Sequence, residues 1–146
     1  MQTILFALLT FGMGMIMSVY LPMNSSVSRY SGSPYVANFT FYLVGLAASI
    51  VIFAVFGDLR AAIKLKGVPP VLFLTGVMSN LVVLSTIFLI PRFGARKVFV
   101  FLLAGEVIMA IIVSHFGLLE SPKDPITLRK LAGAVLLILG AVISMV

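Results

Sequence analysis

Long apolar runs separated by short polar links account for almost the whole chain. A helix needs about twenty mostly apolar residues to cross the hydrocarbon core of a bilayer. Five stretches meet that length, roughly 3–22, 34–57, 70–90, 97–117 and 127–146. The breaks between them are chemically plain. Pro22 and Asn24 are expected to end the first helix, because proline supplies no N–H and crowds the preceding turn. Ser31-Gly32-Ser33-Pro34 precedes the second, and Gly57-Asp58 with Gly67 to Pro70 separates the second from the third. The basic stretch Arg60 to Lys66 between them reads as a short interfacial helix. Pro91-Arg92-Phe93-Gly94 predicts a tight turn, and Ser121-Pro122-Lys123-Asp124-Pro125 precedes the last run. Barrel strands would be about ten residues long with alternating polarity, and these runs are longer and continuously apolar. The expectation is an all-α integral membrane protein, one domain over residues 1–146 with five transmembrane helices.

Composition agrees. Of 146 residues, 62% are hydrophobic and 10% charged, with a mean hydropathy of +1.24. A water-soluble domain carries about 25% charged residues. The first run lacks a basic leader and a small-residue cleavage site, so it reads as a membrane helix and not as a signal peptide. Cysteine and tryptophan are absent. Disulfides and thiolate chemistry are thereby excluded, and tyrosine must supply any interfacial belt. Tyr20, Tyr30 and Tyr35 are expected to do so around the first link.

The net charge is +6. The basic residues sit in the links, so they read as topology signals and headgroup contacts, with no nucleic-acid partner. With five spans, Arg60, Lys64, Lys66, Lys123, Arg129 and Lys130 share one side, and Arg29, Arg92, Arg96 and Lys97 the other. Six against four is a weak bias toward N-in and C-out. Such near balance leaves two readings open: insertion in both orientations, or in one orientation with the count as noise.

Glu106 changes the picture most. It is a lone carboxylate within the apolar run Val98 to Gly117. A charge at bilayer depth costs at least ~2.5 kcal/mol on insertion scales, and chains that keep one commonly use it to handle protons or cations. One reading is a structural carboxyl, neutral and hydrogen-bonded to a neighbour such as Asn80. The other is a carboxyl that binds a proton and a solute in turn. His115 lies nine residues on, about half a turn round the helix, so a relay with Glu106 is disfavoured and an interfacial or capping role is expected.

Small and polar residues recur at helical spacing. Thr3, Ala7, Thr10, Gly14 and Ser18 share one face of the first helix, and Asn38, Tyr42, Gly45 and Ser49 one face of the second. Thr75, Ser79 and Thr86, flanked by Asn80, do so in the third, and Gly133, Leu137, Gly140 and Ser144 in the fifth. Two readings compete. Small residues let helices approach closely in lipid, and Ser, Thr and Asn bridge them for about 1 kcal/mol each. Alternatively the polar positions Asn38, Tyr42, Asn80 and Ser18 line a cavity with Glu106. The glycines favour packing. No catalytic set, phosphate-cradling loop or metal-ligand cluster is present in the sequence, so neither an enzyme nor a cofactor is expected.

Four stretches resemble the five-helix, YdcZ-like branch of the drug/metabolite transporter superfamily. They are Pro22-Met23-Asn24 with Gly32-Ser33-Pro34 and Phe41-Tyr42-Leu43-Val44-Gly45; Pro91-Arg92-Phe93-Gly94-Ala95; Ala104-Gly105-Glu106 with His115-Phe116-Gly117-Leu118-Leu119; and Leu128-Arg129-Lys130-Leu131-Ala132-Gly133 with Gly140. The family usually has glutamine at the position of Glu106, often aspartate at Ser114, and commonly glutamine at Tyr20. An acidic mechanism therefore rests on this sequence and not on the resemblance. What the resemblance implies is a small-solute transporter of the bacterial inner membrane. Larger members of the superfamily resemble two inverted five-helix repeats, so a one-repeat chain would need an antiparallel partner copy. The spacing of Gly133 and Gly140 is similar to the dimer-helix pattern of small multidrug-resistance transporters, which makes them the expected dimer contact. The expected partners are thus the bilayer, a small cationic or amphipathic solute and a second copy. A non-transporting membrane subunit and a passive channel are the alternatives.

Overall fold

Helices form wherever the chain is apolar, because a backbone in lipid must satisfy its hydrogen bonds internally. The computed structural model describes residues 2–143. It is all-helical among those residues, with six α-helices: α1 (Gln2–Ser31), α2 (Pro34–Phe56), α3 (Leu59–Ile63), α4 (Leu74–Phe93), α5 (Ala95–Phe116) and α6 (Leu128–Ile143). Four helical stretches are long and apolar enough to span a membrane: Gln2–Ser31, Pro34–Phe56, Pro70–Phe93 and Ala95–Phe116. The third of these opens with one 3-10 turn, Pro70–Phe73, before α4 begins. A short helix is present between the second and third runs, as expected there: α3, continued by a 3-10 turn at Lys64–Gly67. Ser144, placed by its spacing on the face of α6, lies outside the described residues.

Two helix ends differ from expectation. Pro22 does not stop α1, which runs on to Ser31. Proline withholds only its own N–H, the one the Ser18 carbonyl would have received, and membrane helices absorb that loss when nearby polar groups compensate. Beyond the proline, the Ser26 hydroxyl donates to the Pro22 carbonyl at 3.1 Å, and not to the Ser18 carbonyl that lost its donor. The real stop is Gly32, at φ +72°, followed by Ser33, whose Oγ accepts from the Val36 N–H at 3.4 Å and caps α2. Pro91 likewise lies inside α4, and the expected four-residue turn contracts to Gly94 at φ +87°. One consequence concerns the tyrosine belt. Tyr20 is about three turns before the end of α1, where it stacks on Phe41 of α2 at 5.7 Å. It therefore belongs to helix packing, while Tyr30, 94% exposed, and Tyr35 stand near the helix ends on either side of the Gly32 turn.

The helices fall into two compact units, dividing between Arg92 and Phe93. In the first unit α1 and α2 form a hairpin about the Gly32 turn and pack directly on each other. Their buried residues are Leu21, Asn24 and Ser25 on α1 and Ala37 and Asn38 on α2. Side chains tie α4 to this hairpin: Tyr35 meets Phe88 edge-on at 5.9 Å, and Val83, Thr86 and Ile87 are buried. In the second unit α6 packs on α5. The left-handed Gly117, φ +63°, ends α5 and turns the chain into the link toward α6.

Candidate functional site

The first unit buries as many polar as apolar side chains and leaves most of its large apolar ones exposed. Asn24, Ser25, Asn38 and Thr86 are buried, while leucines, valines and phenylalanines along the same helices are exposed. Lipid accounts for the inversion, since hydrocarbon solvates apolar side chains and leaves polar ones to find each other. Asn38 Nδ2 donates to Asn80 Oδ1 at 3.0 Å, joining α2 to α4. One turn further on α2, the Tyr42 hydroxyl is 2.8 Å from Ser79 Oγ. Three of the expected cavity residues, Asn38, Tyr42 and Asn80, thus meet in one polar layer.

That layer is not saturated. Asn24 Nδ2, Ser25 Oγ and Asn38 Oδ1 are buried without a hydrogen-bond partner. Together they offer a donor, a hydroxyl and an acceptor. A buried polar group left unmet costs about 1–3 kcal/mol, so such atoms mark places where water or a solute belongs. Asn24 also borders a recess of about 620 Å³ between α1 and α2, whose walls include Tyr20, Thr40, Phe41 and Gly45. That volume suits a drug-sized ligand.

Asn24 and Ser25 were hidden by the supposed helix end at Pro22. Leu21, Asn24, Ser25 and Ser28 repeat at helical spacing, a signal that becomes readable once α1 is allowed through the proline. Ser18 does not join the layer. It is exposed, and its hydroxyl donates to the Gly14 carbonyl of its own helix at 3.0 Å.

Glu106 stands in the middle of α5, in the second unit, and is exposed. Within residues 93–143 no hydrogen bond or ion pair engages its carboxylate. His115 has a structural task near the end of the same helix: its Nδ1 accepts the Ile126 N–H at 3.1 Å, which pins the link against α5. Gly133 and Gly140 are exposed on α6, and a methyl group added to either would meet no atom within 4 Å. Neither is therefore at a close helix approach within its own unit.

The described residues include apolar helices long enough to span a membrane, a neutral hydrogen-bonding layer in the first unit and, in the second, a mid-helix carboxylate. No curated protein and no solved structure matches the sequence. A family model described as "Putative inner membrane exporter, YdcZ" matches residues 5–143, and the chain belongs to that family of multi-pass inner-membrane transport proteins.

Proposed function

We propose that the protein is a proton-coupled secondary exporter of a small cationic or amphipathic solute, working as an antiparallel homodimer. The helix beginning at Leu128 is its fifth span, and residues 1–146 act as one transmembrane domain. Membership of an exporter family supports transport. Glu106 supports the coupling, and it is the single observation that carries this reading. A mid-helix carboxylate with no partner in its own unit is held at bilayer depth at a cost of at least ~2.5 kcal/mol. Exchange of a proton for a cation at that carboxyl gives the cost a use. The neutral form crosses with a proton, and the ionised form crosses with the solute.

The polar layer supplies recognition. Asn24, Ser25 and Asn38 present unmet hydrogen-bonding atoms, and Asn80 and Tyr42 hold α4 to α2 beside them. Alternating access then comes from two copies in opposite orientation, each providing one repeat. The weak charge bias between the two sets of links supports insertion both ways.

Proton release on adding solutes to the purified protein in weakly buffered detergent tests this reading. Quaternary ammonium and other organic cations come first. Wild type is expected to release protons with saturation, and Glu106→Gln to release none while folding normally. Release that survives Glu106→Gln would remove the carboxyl from the mechanism. Saturable export without any release would leave an uncoupled carrier.

A further inference from the structure

The link between α5 and α6 folds back onto the helix it leaves. The Asp124 N–H donates to the Ser114 carbonyl at 2.9 Å, and the Ile126 N–H donates to His115 Nδ1 at 3.1 Å. This brings Asp124 and Lys130 over the flank of α5, where they form an ion pair. Lys130 Nζ also donates to the Pro125 carbonyl at 3.0 Å. Between link and helix lies a cavity of about 300 Å³. Its walls are Val107, Ala110, Ile111 and Ile126, and its polar rim is Ser114, Asp124 and Lys130. From Val107 to Ser114 the helix rises about 10 Å. The trench is therefore apolar along the spanning helix and charged only where the helix meets its link.

We propose that this trench binds a phospholipid with a zwitterionic, primary-ammonium headgroup. An acyl chain lies along Val107, Ala110 and Ile111, held by van der Waals packing, since hydrocarbon already surrounds a spanning helix. The headgroup phosphate takes a free N–H of Lys130, whose third proton is not used by Asp124 or Pro125. The ammonium donates to Asp124, whose side chain is 62% exposed and has room for it. An anionic headgroup would meet the Asp124 carboxylate with like charge. A quaternary one would offer it no N–H. Charge complementarity of both signs thus selects the ethanolamine type over glycerol and choline types. Arg129 adjoins the rim in sequence, strengthening the attraction for phosphate near the membrane surface.

Native mass spectrometry of the full-length protein, delipidated and then offered defined vesicles, tests the site. One set contains phosphatidylethanolamine, one phosphatidylcholine and one phosphatidylglycerol, each in the same carrier lipid. Wild type is expected to retain one ethanolamine lipid per chain with about fivefold preference over choline, the size of one exposed charged contact. Asp124→Asn should keep a bound lipid and lose that preference. Ile111→Trp should fill the trench and lose the lipid while leaving both charges in place. Circular dichroism of each variant identifies any that fails to fold, and the headgroup ranking of wild type decides the matter without them. Equal retention of all three lipids by wild type, or retention unchanged in a folded Ile111→Trp, would overturn the proposal. Neither result depends on Glu106 or on any transported solute.

Discussion

Asn38 and Asn24 are both buried amides of the first unit, but only Asn38 has an acceptor for its Nδ2. The difference sets opposite expectations for the same substitution. Asn38→Leu removes the donor to Asn80 Oδ1 and should cost about 1 kcal/mol, the usual worth of an interhelical bond in membranes. Asn24→Leu removes a buried donor that has nothing to donate to, so stability should hold or rise. Thermal unfolding of the two variants in one detergent reads this directly. Equal losses would mean that the Asn24 amide is paired and the recess beside it is not a binding place. A role for that recess in recognition adds a second expectation: Asn24→Leu should impair export although it does not impair folding.

At the scale of elements, two residues usually counted as breakers behave differently. Pro22 sits inside a continuous α1, whereas Gly94 ends α4 at φ +87°. Pro22→Ala returns an N–H to the Ser18 carbonyl and should stabilise the protein by about 1–3 kcal/mol. Gly94→Ala forces a side chain into a region that glycine alone enters freely and should destabilise by a similar amount. Denaturation midpoints of the pair check both signs, and a loss of stability in Pro22→Ala would show that the helix needs a break there. The same contrast explains what was legible in the sequence. Four of the five expected spanning runs, the short basic helix and the Gly32 break follow from hydropathy and turn chemistry, which are local. Asn38, Tyr42 and Asn80 could be named from helical spacing. Asn24 and Ser25 could not, because local rules end a helix at proline, whereas α1 runs on through it to Ser31. The bonding of Ser18 within its own helix was equally hidden, since spacing fixes a face but not what lies opposite it.

At the scale of the whole molecule, the proposal of an antiparallel pair makes two demands that can be met or refused separately. The first is a contact. Gly133 and Gly140 lie on one face of α6 with open space above both, so a second helix could approach closely there. Gly140→Leu should therefore weaken the dimer at least about tenfold, or ~1.4 kcal/mol. Val135→Leu, roughly opposite on the helix, should leave it unchanged. Light scattering of the detergent-solubilised protein gives the mass, and a dimer indifferent to Gly140→Leu would move the contact elsewhere. The second demand is orientation. The chain has no cysteine, so Glu120→Cys in the exposed link between α5 and α6 provides a single reactive thiol. Acidic residues contribute little to topology, so this substitution should not bias insertion. An impermeant maleimide added to intact spheroplasts should label about half of the copies if the six-to-four distribution of basic residues lets both orientations form. Labelling of all copies or of none would mean a single orientation. The pair would then have to be parallel, and the two Glu106 carboxyls would face the same side of the membrane together, leaving inverted-repeat exchange without a structural basis.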